Sequence, residues 1–205
     1  VKDVHYKKEQ SDIYLYISYY YSIHGNYANQ LKYAQQAVEL AKESGDMRQM
    51  INSWKDLGAA YFEHPDNKSV AQALEFYTTA KTLFDKHIKT GETHLSDKDE
   101  FLYMEILVTL GSIYQVQNDM GAAIGALEQA LQIAVKNGII VTEAFSHKEI
   151  EILYQALGNK TKAEKHYLQT EKLIENIASK TMESNHIQYE IQLLLAELYR
   201  ETGHY

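Results

Sequence analysis

The sequence contains no cysteine and a single proline, Pro65. Without cysteine the chain has no disulfide, no thiol nucleophile and no thiolate metal ligand. So few helix-breaking residues over 205 positions favour long helices. No stretch reaches the roughly 18 apolar residues of a membrane span, and no signal-peptide pattern is present. We therefore expect a cytoplasmic segment that does not bind membrane.

Runs of basic residues are also missing, and the formal net charge is −8 with a sequence pI near 5.6. Binding to nucleic acid or to an anionic membrane needs the opposite charge balance. The charge therefore excludes nucleic acid as an expected direct partner. It favours a neutral or basic partner over an acidic one.

Catalytic motifs are absent from the sequence. There is no glycine-rich phosphate loop, no nucleophile elbow and no spaced carboxylate pair. Nine histidines raise the possibility of a metal site. His147 and Glu151 share a helix face, but no third potential ligand follows at a sequence spacing typical of metal sites. His147 also occupies an aromatic position of its repeat. We predict no catalytic residues, no metal site, no cofactor and no enzyme activity in this segment.

A short motif that returns along the chain is the main positive feature. Leu57-Gly58 with Tyr61, and Leu110-Gly111 with Tyr114, are its clearest copies. Each copy has apolar residues at helical spacing, then a break, then a second helical stripe. The sequence therefore predicts an all-α chain of helix–turn–helix units. The equivalent positions are Ser18, Gly58, Gly111, Glu151 and Ala196, which lie 40, 53, 40 and 45 residues apart.

The periodicity predicts about nine helices. Glycine or asparagine ends several of them, as expected for helix C-termini. Gly58 and Gly111 are small at the points where two antiparallel helices cross, so we expect close crossings there. Glu151 and Gln30 occupy positions that are usually small. The predicted helices span 8–24, 27–44, 47–63, 68–90, 97–117, 120–137, 140–157, 160–180 and 183–202.

These residues resemble the tetratricopeptide repeat (TPR) family. The second copy carries the family pattern most fully, in Trp54, Leu57, Gly58, Tyr61, Ala73, Tyr77 and Ala80. The resemblance implies a right-handed superhelical array. Its repeats of about 40 residues look like those of bacterial signalling and regulatory proteins. We expect a single array with repeats at 11–46, 47–96, 97–138 and 139–182 and a truncated fifth at 183–205, as part of a longer protein.

The resemblance implies a non-catalytic module that binds a protein or an extended peptide. In the family, the first helix of each repeat lines a concave groove. An alternative is a ligand-responsive sensor that controls a kinase or transcription regulator outside this segment. Two pairs of adjacent charged residues in the predicted groove, Lys55 with Asp56 and Lys148 with Glu149, are also consistent with solvated surface ion pairs of little energetic effect. The predicted groove residues are Tyr16, Tyr19, Asn52, Lys55, Asp56, Thr109, Ser112, Lys148 and Glu149.

Three further segments carry predictions. The insertion at 64–69 is expected to be a longer turn, and 86–99 is either a tolerated surface loop or a partner contact. Within it, Ser96 and Asp99 have the spacing of a capping box. A final helix would expose an apolar face, and we expect two copies to associate there if nothing else covers it. That face comprises Ile191, Leu194, Leu195 and Leu198.

Overall fold

The structure, a computed structural model, describes residues 2–63, 69–89 and 96–180. Within these ranges the chain forms eight α-helices and no strand, which confirms the all-α prediction. The helices follow one another in pairs through short turns. They are α1 (Lys2–Ile23), α2 (Tyr27–Ser44), α3 (Met47–Glu63), α4 (Val70–Lys89), α5 (Asp97–Val116), α6 (Met120–Asn137), α7 (Ile140–Ala156) and α8 (Lys160–Lys180).

The helix ends follow from the turn residues. Gly45 ends α2 with a left-handed φ of 70°, and its N–H donates to the carbonyl oxygens of Ala41 and Lys42. At the start of α5, the Ser96 side chain accepts from the Asp99 N–H, and the Asp99 side chain accepts from the Ser96 N–H. The predicted capping box is therefore confirmed.

The predicted start of α1 at residue 8 was wrong, because the helix begins at Lys2. Residues 2–7 carry little apolar periodicity, which is the signal that the prediction used. They contain no glycine or proline, and His5 lies 3.1 Å from Glu9 one turn later. Polar helix formers with such i,i+4 contacts extend a helix without any apolar stripe. The predicted ninth helix, the 64–68 insertion and residues 90–95 lie outside the described residues.

The chain divides into two compact units, Val1–Ala126 and Leu127–Tyr205. In the first unit, α1 packs against α2 and α3, and α3 packs against α4 and α5. The apolar core of this unit is formed by residues of α3, α4, α5 and α6 that face one another. Its buried members are Ile51, Ala73, Tyr77, Ala80, Phe84, Leu102, Ile106, Leu110, Ile113 and Ala126.

The crossing of α3 and α4 is close at Gly58, as predicted. A Cβ added to Gly58 would stand 2.6 Å from Cδ2 of the buried Tyr77 ring. That distance is well inside van der Waals contact, so only glycine fits without movement. Gly111 is also buried, and its close crossing remains a prediction.

In the second unit, α7 packs against α8. Its buried residues include Ile150, Leu153 and Ala163 together with polar Glu151 and Thr170. The Glu151 carboxylate accepts a hydrogen bond of 2.8 Å from Gln155 Nε2. This pairing lets a carboxylate occupy the position that Gly58 holds in the second repeat.

Candidate functional site

The first helices of the hairpins in the first unit lie side by side, and we call their shared surface the first-helix wall, formed by α1, α3 and α5. Ser11 Oγ on α1 lies 3.4 Å from Ser53 Oγ on α3 and accepts from Gln49 Nε2 at 3.0 Å. Lys55 on α3 contacts Glu105 on α5. Neighbouring first helices are therefore joined by polar side chains, and the wall brings several predicted residues together.

A charged cluster lies at the centre of the wall. Lys55 Nζ is 3.4 Å from Asp56 Oδ1 and 3.2 Å from Glu105 Oε2. The Lys55 side chain is 22% exposed and that of Asp56 32%. This pair is therefore more enclosed than a solvated surface pair. The cluster joins two carboxylates to one ammonium group, which leaves an excess of negative charge.

Burial and the neighbouring charges both shift the pKa values of the cluster. Burial lowers the pKa of the Lys55 ammonium, but the charges of Asp56 and Glu105 outweigh it and hold that pKa above its ordinary value. Burial raises the pKa of the Asp56 carboxyl; Lys55 opposes the rise, while Glu105 and Glu63 add to it. The Asp56 carboxyl therefore ionises less readily than a free one, chiefly because it is buried.

Glu63 extends the acidic surface by two turns of α3. It follows Asp56 by seven residues and so lies on the same helix face. Its Oε2 accepts from Ser22 Oγ at 3.1 Å and from Gln30 Nε2 at 3.3 Å. These donors, from α1 and α2, fix the carboxylate at the end of the wall. The Gln30 carbonyl Oε1 is buried and has no hydrogen-bond partner among the described residues.

Hydroxyl groups complete the wall. The buried Tyr77 hydroxyl is hydrogen-bonded to the Thr109 side chain, and burial raises its pKa. Thr109 Oγ1 donates to the Glu105 carbonyl oxygen at 3.1 Å, and Ser112 Oγ donates to that of Val108 at 3.4 Å. Hydroxyls that donate to their own helix keep their lone pairs as acceptors. They can therefore receive N–H groups from a bound chain.

Two predicted aromatic residues, Tyr16 and Tyr19, lie on α1. Both are largely exposed, at 76% and 67%. Tyr16 also lines a cleft between α1 and α2, so it stands at the edge of the wall. Asn52, half-buried, precedes Asp56 by one turn on α3. The wall therefore combines exposed aromatic area with carboxylates, an amide and hydroxyls.

The remaining predicted residues, Lys148 and Glu149, are half-buried on α7 in the second unit. Near them, His147 Nδ1 lies 2.8 Å from His166 Nδ1 on α8. Burial lowers the pKa of His147 to about 4, and that of His166 is lowered as well. Two neutral imidazoles can share one N–H in such a contact.

The sequence interpretation missed Glu63 as part of the wall and Tyr77 as the residue of α4 that supports it from behind. The seven-residue spacing from Asp56 was a sufficient signal for Glu63. Tyr77 belongs to the second-helix stripe, and no sequence pattern shows that its hydroxyl points to Thr109. The contact between Glu105 and Lys55, which are 50 positions apart in the sequence, depends on how α3 and α5 pack together.

Two features are absent from the described residues. No group of three or more His, Asp or Glu side chains there is arranged to hold a metal ion. Across the same residues, none of the helices combines the length and the apolar character that crossing a bilayer requires.

Comparison with known proteins shows the fold. The chain matches the nearly identical TPR-like repeats of a putative kinesin light chain from Podosopora anserina, with a TM-score of 0.66, 19% identity and coverage of 95% of this chain and 86% of that one. It matches aspartyl phosphate phosphatase F from Bacillus subtilis, with a TM-score of 0.69, 14% identity and coverage of 96% and 51%. It also matches the apo form of the quorum sensor NprR from B. thuringiensis, with a TM-score of 0.63, 18% identity and coverage of 93% and 48%.

These likenesses confirm the predicted class, an all-α array of TPR-like helical repeats. The chain spans about half the length of the phosphatase and of the quorum sensor. No family model matches the chain, and no curated protein matches it either.

Proposed function

We propose that the chain is a non-catalytic module that binds a protein or an extended peptide on the first-helix wall. The observation that carries the proposal is the pairing of two carboxylates, those of Asp56 and Glu105, with the single ammonium group of Lys55. Glu63 adds a third carboxylate two turns beyond Asp56 on the same face of α3. The wall also offers acceptor hydroxyls and two exposed tyrosines. Such a surface suits a backbone that donates N–H groups and a side chain that carries positive charge.

The charge of the ligand follows from the cluster. A lysine or arginine side chain placed near Asp56 and Glu63 would form charge-assisted hydrogen bonds with their carboxylates and offset the excess negative charge of the surface. An acidic segment would add repulsion to a carboxylate whose pKa is already raised. The proposed partner is therefore neutral or basic. Tyr19 would cover its apolar side chains.

The role of the module is a separate proposal. We infer that it belongs to a larger signalling or regulatory protein, either as a scaffold or as a sensor that acts on an output domain. Support comes from two solved structures with this fold, named a phosphatase and a quorum sensor, each about twice as long as this chain. Helical arrays transmit changes from neighbour to neighbour, which suits either role.

Selection from a random library of twelve-residue peptides against the full chain tests the binding site. We expect enrichment of lysine and arginine over aspartate and glutamate. A selected basic peptide should bind the double variant Asp56→Asn, Glu63→Gln about tenfold more weakly, a loss of about 1.4 kcal/mol. The matched control is Glu39→Gln on α2, where an exposed carboxylate pairs with Lys42 away from the wall. Selection of acidic peptides, or an equal loss in the control, would refute the site.

A further inference from the structure

The outer face of α1 carries large apolar side chains that no described residue covers. We define this face as Tyr6, Ile13, Tyr16, Tyr20 and Ile23, each of which is more than half exposed. Ile13 and Tyr20 lie on the side of α1 turned away from α3, and Tyr16 connects this face to the edge of the wall. Ser11, which packs against Ser53 of α3, is nine residues before Tyr20 and so roughly 180° from it around the helix.

The spacing of the outer face is that of a helix–helix seam. Tyr6, Ile13 and Tyr20 are seven residues apart, and Tyr16 and Ile23 follow Ile13 and Tyr20 by three. This is the a/d pattern with which one helix packs along another. The seam runs almost the full length of α1, which has 22 residues and is therefore about 33 Å long.

The two central positions of this face, Ile13 and Tyr20, are buried at their equivalents in the later repeats. Ile13 is equivalent to Ser53, Ile106 and Ser146, all of which are 0% exposed, whereas Ile13 itself is 54% exposed. Tyr20, also 54% exposed, shows the same contrast with its equivalents. Those are Ala60, Ile113 and Leu153, which are 2%, 0% and 4% exposed.

Within the first unit, a preceding helix pair covers these positions. Ala60 packs in one cluster with Ala34 and Val38 of α2. Ile106 and Ile113 pack with residues of α3 and α4 such as Phe84. In this fold, therefore, the side of a first helix that carries these positions packs against another helix pair. On α1, no described helix pair packs against these two positions.

A cleft beside the outer face is already shaped by aromatic packing. It lies between α1 and α2. Tyr21 stacks on Tyr33 with ring centroids 5.6 Å apart and planes 9° from parallel, which fixes part of the cleft wall. An apolar partner would therefore meet ordered side chains rather than ones that it must immobilise. The cleft is lined by Ile13, Tyr16, Ile17, Tyr20, Tyr21 and Tyr33.

We propose that the outer face of α1 binds the same face of a second copy of this chain, with the two α1 helices antiparallel. A two-fold axis between residues 14 and 15 would pair each a position with a d position of the partner. Ile13 would then meet the partner copy's position 16, and Tyr6 its position 23. Tyr20 would meet position 9, where Glu9 can accept a hydrogen bond from the tyrosine hydroxyl.

The size of the face suits a weak but specific dimer. A buried aromatic side chain contributes roughly 150–250 Å², so the exposed parts of three tyrosines and two isoleucines amount to about 500 Å² per copy. The contact would thus hide about 1,000 Å² from these side chains alone, which is the lower limit for a specific interface. A two-fold contact also covers the outer faces of both copies at once.

Sedimentation velocity of the full chain between 1 and 100 µM tests the proposal. We expect a monomer–dimer equilibrium for the wild type and a monomer for Tyr20→Glu, because the new carboxylate would face Glu9 of the other copy. Tyr19→Glu is the matched control, since Tyr19 has the same side chain and similar exposure but lies on the adjacent face. It should dimerise like the wild type. Circular dichroism checks that each variant is folded.

A second measurement is crosslinking through a single introduced cysteine, which is specific because the natural sequence has none. Ile13→Cys introduces a lone thiol close to the proposed axis, so a short bismaleimide should give a covalent dimer. Tyr19→Cys should give much less. A wild type that stays monomeric to 100 µM would overturn the proposal. So would a Tyr20→Glu dimer, which would place self-association elsewhere, for example on the predicted face at 191–198.

Discussion

The second and fourth hairpins, α3/α4 and α7/α8, follow one repeat template but fill their helix crossings differently. In α3/α4 the crossing position is Gly58, and the Tyr77 ring packs directly on its backbone. In α7/α8 the equivalent position is Glu151, a buried carboxylate held by Gln155. One crossing is close and apolar, and the other contains a hydrogen-bonded polar group.

The difference shows that the template constrains the backbone more than it constrains the chemistry of the crossing. A glycine is required only where the second helix brings a large ring against the first. Where the neighbouring side chains are polar, a carboxylate is tolerated if it is hydrogen-bonded. The contact between His147 and His166, 2.8 Å apart, belongs to the same polar hairpin. We therefore expect the two crossings to respond oppositely to added bulk, charge and acid.

The largest expected effect is at the apolar crossing. Gly58→Leu should destabilise the chain by roughly 3 kcal/mol or more, because even a Cβ there meets the buried Tyr77 ring. Chemical denaturation followed by circular dichroism measures the change.

A second helical glycine provides the control for that experiment. A Cβ added to Gly125 on α6 meets no atom within 4 Å. Gly125→Ala should therefore leave stability unchanged or raise it by about 0.5–1 kcal/mol through helix propensity. If Gly58→Leu were as stable as the wild type, the close crossing of α3 and α4 would be wrong.

The polar hairpin should respond to acid. Burial lowers the pKa of His147 from 6.5 to about 4, so between these values the unfolded chain binds a proton that the folded chain does not. Stability is therefore fully present above pH 6.5 and falls as the pH drops through this window. The expected loss from His147 is about 1–2 kcal/mol after allowance for solvent screening. Denaturation at pH 7 and pH 4.5 measures it.

His147→Phe is the matched variant, since the template accepts an aromatic side chain at this position. Its stability should depend less on pH than that of the wild type. The comparison is needed because burial raises the pKa values of Glu143 and Glu151, and these carboxyls oppose the histidine effect on acidification. Equal pH dependence in both proteins would show that His147 titrates as it does in the unfolded chain.

The contrast between the hairpins also shows what the sequence could predict. Helix limits from α2 to α8 follow from apolar periodicity and turn residues, and they agree with the structure to within about two residues. The close crossing at Gly58 followed from residue size. These features depend on local sequence, where period and turn chemistry point to one structure.

Contacts between distant residues could not be predicted in the same way. The sequence placed Lys55 and Asp56 on the wall, but it could not bring Glu105 to Lys55 or His166 to His147. Those distances depend on how each helix is rotated about its own axis. An apolar stripe is about 100° wide, so periodicity alone determines that rotation only loosely. Likewise, Tyr16 was predicted to line the groove and the rest of the seam on α1 was not predicted, because the exposure of these residues depends on what packs beside the first hairpin.

The smallest expected effect is at the polar crossing itself. Burial raises the pKa of Glu151, and Lys148 offsets only part of that rise. A raised carboxyl pKa means that the ionised form weakens the fold at neutral pH, and that this cost disappears as the pH falls through the folded-state pKa. Glu151→Gln keeps the shape and an oxygen that can accept from Gln155, but removes the charge. It should therefore stabilise the chain at pH 7 by about 0.5 kcal/mol and leave stability at pH 3.5 unchanged.

Glu149→Gln, at a half-buried position two residues earlier, controls for the change in net charge. If Glu151→Gln destabilised the chain at pH 7, the carboxylate would be a favourable element of this crossing, and the two hairpins would differ less than their structures indicate.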